Sequence, residues 1–181
     1  DPAFQDRLKL NPILWDDPEA PAPMLANLTP QESVSRGLVR PSDCEIVIAI
    51  FWARMGTLLE KPLKKGKTPY LSGTEWEFED ARRGRRDILL YRRITKAMAD
   101  LDDPAFEEKR AQKRLVNQFF ERLKGPRGGW LGGHATYEEP EDFGKLLEAN
   151  LRNLLTKLLA APTRAGRLQP AIPDVGRTAR D

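Results

Sequence analysis

Cys44-Glu45-Ile46-Val47-Ile48-Ala49-Ile50-Phe51-Trp52 is the most strand-like passage of the chain. From Ile46 to Phe51 every residue is apolar, and most are β-branched or aromatic. A strand with one wet face alternates apolar and polar residues. This one does not, which predicts a central parallel strand covered on both faces. Pro41-Ser42-Asp43 marks a turn just before it.

Downstream, Arg54 to Tyr70 reads as a long loop carrying Lys61, Lys64, Lys65 and Lys67. Ser72-Gly73-Thr74-Glu75 is a capping box opening a helix to about Arg83, with Gly84 as its break. Asp87-Ile88-Leu89-Leu90-Tyr91-Arg92 is a second buried strand. Asp103 caps a long helix with Pro104 just inside it. Phe106, Leu115, Phe119, Phe120 and Leu123 form its apolar stripe, and Gly125-Pro126 ends it. Gly125 to Gly133 is a Gly-rich loop with Trp130. His134 to Tyr137 is a short edge strand. Pro140 opens a last helix with Phe143, Leu147, Leu151, Leu154 and Leu158 on one face.

Upstream, Thr29-Pro30-Gln31-Glu32 is another capping box with Pro at the first helical position, and Gly37 is the expected stop. Leu10 to Trp15 reads as a short strand, and Glu19 to Met24 as irregular. Strands thus alternate with helices, which implies an α/β domain with a parallel sheet and helices on both faces. The domain is expected over residues 1–160, with 161–181 as a tail or interdomain linker.

Composition narrows the function. The chain has 181 residues, 40% of them hydrophobic, which is enough for one packed core and argues against global disorder. One cysteine excludes an internal disulfide framework, and one histidine excludes a His-His metal pair. No apolar run nears the roughly 20 residues of a membrane helix. A cytoplasmic location is the default. A net charge of +3 is mild for this length and does not call for nucleic acid.

Open parallel sheets bind ligands at the carboxyl ends of their strands, beside helix amino ends. Phe51-Trp52 and Ser72 are therefore expected to be neighbours, with the helix N–H groups favouring anions. Glu75 has a role in the capping box; Glu77 does not. Gly73 and Ala81 lie four residues either side of Glu77, on its face of the helix. Small residues there leave room for a ligand, or for another helix. Glu77 is thus a candidate nucleophile or stabiliser of an oxocarbenium-like centre, or else a surface or interface acid.

The run from Ser42-Asp43-Cys44-Glu45-Ile46-Val47 through Phe51-Trp52-Ala53-Arg54-Met55-Gly56-Thr57 to Ser72-Gly73-Thr74-Glu75-Trp76-Glu77 closely resembles a bacterial family of TIR-like domains. Its members sit at the amino end of larger proteins, ahead of STAND-type NTPase modules, WD40 or TPR repeats. Thr29 to Glu32 and Tyr137 to Phe143 also match, so the resemblance covers about residues 4–160. More distantly, the chain is similar to nucleoside deoxyribosyltransferases and TIR NAD hydrolases, which are flavodoxin-like. In the former, a Gly-Thr-x-x-Glu element supplies the Glu that attacks the sugar. Gly73 to Glu77 has that spacing.

This implies a flavodoxin-like fold with Glu77 as nucleophile, and Trp52, Arg54, Ser72, Gly73, Thr74 and Trp76 around the ligand. Those enzymes place Asp-Gly just after the strand, where this chain has Trp52, Ala53 and Arg54. Family members also begin with a strand and helix that would lie upstream of Asp1.

Other features have two readings each. Trp52 and Trp76 stack on a base or belong to the core. Arg82, Arg83, Arg85 and Arg86, with Arg92 and Arg93, meet phosphates or an acidic partner, or form a solvated helix end. His134 is a proton carrier or an incidental loop residue, and Cys44 an inert core thiol. Arg127-Gly128-Gly129-Trp130 is no P-loop. The expected function is an effector or signalling domain of a larger bacterial protein. It would bind a nucleotide-like small molecule and cleave its N-glycosidic bond, with NAD as candidate substrate and no resident cofactor or metal. The alternative is a non-catalytic module for protein partners or self-association.

Overall fold

Ile46–Phe51 form β1, and the parallel strand Asp87–Arg93 (β4) lies against it with Ile46 opposite Asp87 and Phe51 opposite Arg92. Both runs are dominated by residues that suit a half-buried pleat. The computed structural model describes residues 4–5, 7–14, 26–27, 33, 37–56, 59, 64–65 and 68–160. Ala135–Tyr137 (β5) pairs in parallel with the last residues of β4, Tyr91 opposite Ala135. Among the described residues the sheet order is β1-β4-β5, so β4 is the central strand and β1 an edge. The fold is α/β with a three-stranded parallel sheet, as the strand–helix alternation predicts.

Gly73–Arg83 (α1) links β1 to β4, and Phe106–Arg122 (α2) links β4 to β5. Both helices pack on one face of the sheet. That face carries the core. Ala49, Phe51 and Leu90 from the sheet meet Phe78 of α1 and Val116, Phe119 and Phe120 of α2. Phe51 stacks on Phe119 at 4.7 Å and meets Phe120 edge-on at 5.8 Å.

The expectation of cover on both faces holds for β4, where the consecutive residues Leu90 and Tyr91 are both buried. It fails for β1. Ala49 and Phe51 face the core, while Ile48 and Ile50 on the other side are 41% and 47% exposed. An unbroken apolar run shows that a strand is buried somewhere, but not that both of its faces are.

Four local readings change. Leu10 to Leu14 form no strand and are exposed. Part of the expected loop before Tyr70 is a small antiparallel hairpin of β2 (Lys64–Lys65) and β3 (Thr68–Pro69). The long helix starts at Phe106, because Asp103 holds a turn by accepting from the Ala105 N–H and pairing with Lys109. Its last helical residue is Arg122, earlier than Gly125. The box Thr29 to Glu32 lies outside the described residues, although Ser33 and Gly37 are helical. Trp15, Lys61, Lys67 and the tail after Ala160 are likewise outside them.

Arg85, not Gly84, takes the left-handed conformation at the end of α1, with φ 54°. The Arg86 N–H reaches the Ala81 carbonyl at 3.0 Å, closing a Schellman-type end. Gly84 is needed for another reason: a Cβ there would lie 3.0 Å from both Cα and Cβ of Ser42. Ser42 sits in the 3-10 turn Pro41–Asp43 that packs on α1.

The chain divides into two compact units, residues 1–140 and 141–181. The second contains most of Pro140–Ala160 (α3), a helix with Pro140 at its start and Glu141 and Asp142 in the first turn, where acids complement the helix dipole. No helix among the described residues is long and apolar enough to cross a membrane.

Candidate functional site

The expected neighbours do meet. β1 ends at Phe51, and the chain turns back so that Met55 and Gly56 reach the start of α1. Ser72 caps α1 by accepting from the Glu75 N–H at 3.2 Å, and its hydroxyl donates to the Met55 carbonyl at 2.8 Å. Gln112 of α2 completes the clamp, accepting from the Met55 N–H at 2.9 Å and donating to the Gly56 carbonyl at 3.1 Å. The Ser72 hydroxyl, the Gln112 amide and the Met55 backbone groups of this buried joint thus all find partners, as a low-dielectric interior requires. Gly56 adopts φ +106°, and a Cβ there would lie 2.9 Å from the Thr74 hydroxyl oxygen.

Glu75 departs from a simple capping box. Its carboxylate accepts from the Leu71 N–H and pairs with Arg122 of α2 at 2.7 Å. The carboxylate is nearly buried, so the pair ties α1 to α2. Beside it runs an open groove of about 540 Å³ lined by Leu71, Arg114, Asn117, Gln118, Glu121 and Arg122.

Of the residues expected around a ligand, Ser72 and Gly73 are buried and Thr74 is half-buried against Gly56. Glu77 is half-buried on α1, on the side of the buried Gly73 and Ala81, and is not among the groove residues. Arg54 is exposed. The two tryptophans have different neighbours. Trp76 is buried with the Arg40 guanidinium 5.6 Å from its ring. Trp52 stands at the carboxyl end of β1, donating to the Thr95 carbonyl at 3.0 Å under the Arg93 guanidinium.

The arginines at the end of α1 and just after it are mostly structural. Arg82 grips Glu79, Arg83 reaches Asp80 and the Tyr70 hydroxyl, and Arg86 donates to the Ser42 carbonyl. Asp80 is the buried anchor of Arg83 and of Arg40. Burial works to raise its pKa, yet hydrogen bonds from Ser42 and the Arg40 charge hold it below the ordinary carboxylate value.

Arg92 and Arg93 do something else. Adjacent strand residues point to opposite faces, so Arg93 turns to Trp52 and Arg92 turns to α2. Arg92 donates to Asn117 at 2.8 Å and lies 4.5 Å over the Phe120 ring. Lys113, one turn before Asn117, donates to the Trp52 carbonyl at 2.9 Å. Burial and then the Arg92 charge lower the pKa of Lys113, and the same two causes lower that of His134, which packs against Phe120 and Trp130.

Sequence reasoning missed Lys113 and Asn117 and merged Arg92 with the helix-end cluster. The available signal was alternation in β4, which puts Arg92 on the Leu90 face. Cys44 is half-buried, and burial raises its pKa above the usual thiol value. No group of three or more His, Cys, Asp or Glu among the described residues could hold a metal ion. No protein-family model matches the chain, and neither a curated protein nor a solved structure does.

Proposed function

We propose that this chain is a TIR-like effector or signalling domain of a larger bacterial protein. It takes a nucleotide-like ligand at the carboxyl edge of its sheet and cleaves the N-glycosidic bond, with NAD as the candidate substrate. The observation that supports this reading is the joint between the end of β1 and the start of α1, built from Ser72, Met55, Gly56, Thr74 and Gln112. It holds a helix amino end rigidly at the sheet edge where α/β domains bind ligands. Glu77 follows one turn later with small residues on either side. In this reading it stabilises or attacks the anomeric carbon as nicotinamide departs.

The test is nicotinamide release from NAD by the full chain, alone and at high concentration, against Glu77→Gln. Turnover that falls at least about 100-fold in the variant supports the role, since loss of a nucleophile removes the covalent route. Turnover unchanged in the variant, or none in the parent, rejects it.

A second reading, a non-catalytic self-association module, is favoured by one observation: the exposed Ile48 and Ile50 side of edge strand β1. It predicts concentration-dependent sedimentation that Ile48→Lys with Ile50→Lys abolishes.

A further inference from the structure

Arg92 and Lys113 approach one place from two elements. Phe51 is opposite Arg92 in the β1–β4 ladder, so the Trp52 carbonyl lies just beyond the Arg92 position at the carboxyl edge. Lys113 is held on that carbonyl, and Arg92 is held on Asn117, one helical turn from Lys113. The three side chains therefore close a small ring over the ends of β1 and β4.

The charges in this ring do not balance. The partners of Arg92 are an amide oxygen and a phenyl ring, and that of Lys113 is a backbone carbonyl. Neither cation meets a carboxylate among the described residues. By contrast, Arg40, Arg82, Arg83, Arg93 and Arg122 each pair with an acid. Two cations packed together without a counter-charge repel one another, and the Arg92 charge adds to burial, the larger cause, in lowering the pKa of Lys113. An anion placed between them removes that cost and gains charge-assisted hydrogen bonds. Asn117 also lines the open groove, so an anion here has room for a larger body beside it.

We infer that Arg92, Lys113 and Asn117 form a subsite for a phosphate group at the carboxyl ends of β1 and β4. Arg92 supplies a forked donor, Lys113 a point charge, and the Asn117 amide a neutral donor. This rests on the nucleotide reading above and deepens it, assigning the site to the phosphate-bearing part of the ligand.

The experiment is calorimetric and NMR titration of the full chain with inorganic pyrophosphate, ADP and adenosine at fixed ionic strength. The expected result is that pyrophosphate and ADP bind, with amide shifts at Arg92, Lys113 and Asn117. Affinity falls at least about 10-fold in Lys113→Gln, which keeps a donor for the Trp52 carbonyl, and in Arg92→Gln. Unchanged thermal unfolding of Lys113→Gln separates lost charge from lost fold. The subsite is overturned if pyrophosphate and ADP do not bind, if the variants bind them as the parent does, or if the shifts map elsewhere. The two proposals fail separately. Pyrophosphate binding without NAD cleavage supports the subsite and rejects the enzyme. NAD cleavage with affinity unaltered in Lys113→Gln and Arg92→Gln does the reverse.

Discussion

Asp80 shows how much one side chain can hold together. Its carboxylate takes the Arg40 guanidinium at 2.8 Å and the Ser42 N–H at 3.0 Å, pinning the 3-10 turn before β1 to α1. Because its pKa is lower in the folded chain, its contribution is complete at neutral pH. That contribution fades as the pH drops below the ordinary carboxylate value and through the folded one. Asp80→Asn should cost about 1–3 kcal/mol in urea unfolding at pH 7. The gap between parent and variant should narrow on acidification below about pH 4. A gap that stays constant would show that the charge is not what stabilises the turn. Asp80 did not stand out in the sequence, because Arg40 and Ser42, which it ties to α1, lie about 40 positions away. Glu77 did stand out, by spacing, and the structure places it half-buried on α1.

At the level of elements, α1 was legible almost to the residue. Its cap at Ser72 is a local hydrogen bond, and local chemistry needs no fold to be recognised. The same holds for the Pro140 start of α3. What Glu75 does with its side chain was not legible, since the Arg122 that pairs with it comes from α2. Gly56 marks the joint between β1 and α1. Gly56→Ala forces a side chain into a left-handed backbone and against Thr74, so we expect about 1–3 kcal/mol of destabilisation by chemical unfolding. The damage should appear first as faster amide exchange at Met55, Ser72 and Gln112. If exchange there is unaltered, the clamp is not the unit described.

Across the whole molecule, one sheet face carries most of the packing. Leu90→Ala, in the aromatic core, should cost about 2–5 kcal/mol. Ile50→Thr, on the open side of β1, should cost less than about 1 kcal/mol by the same measurement. Comparable losses at the two positions would mean that β1 is covered on both sides after all. Apolar runs, caps and turn residues named the strands β1, β4 and β5, the helices and their order, because each is written in neighbouring residues and their spacing. Which strand is central, which side of β1 stays open, and where the cations Arg92 and Lys113 converge depend on residues distant along the chain. Strand order and strand register bring those residues together, and neither has a signature within any short stretch.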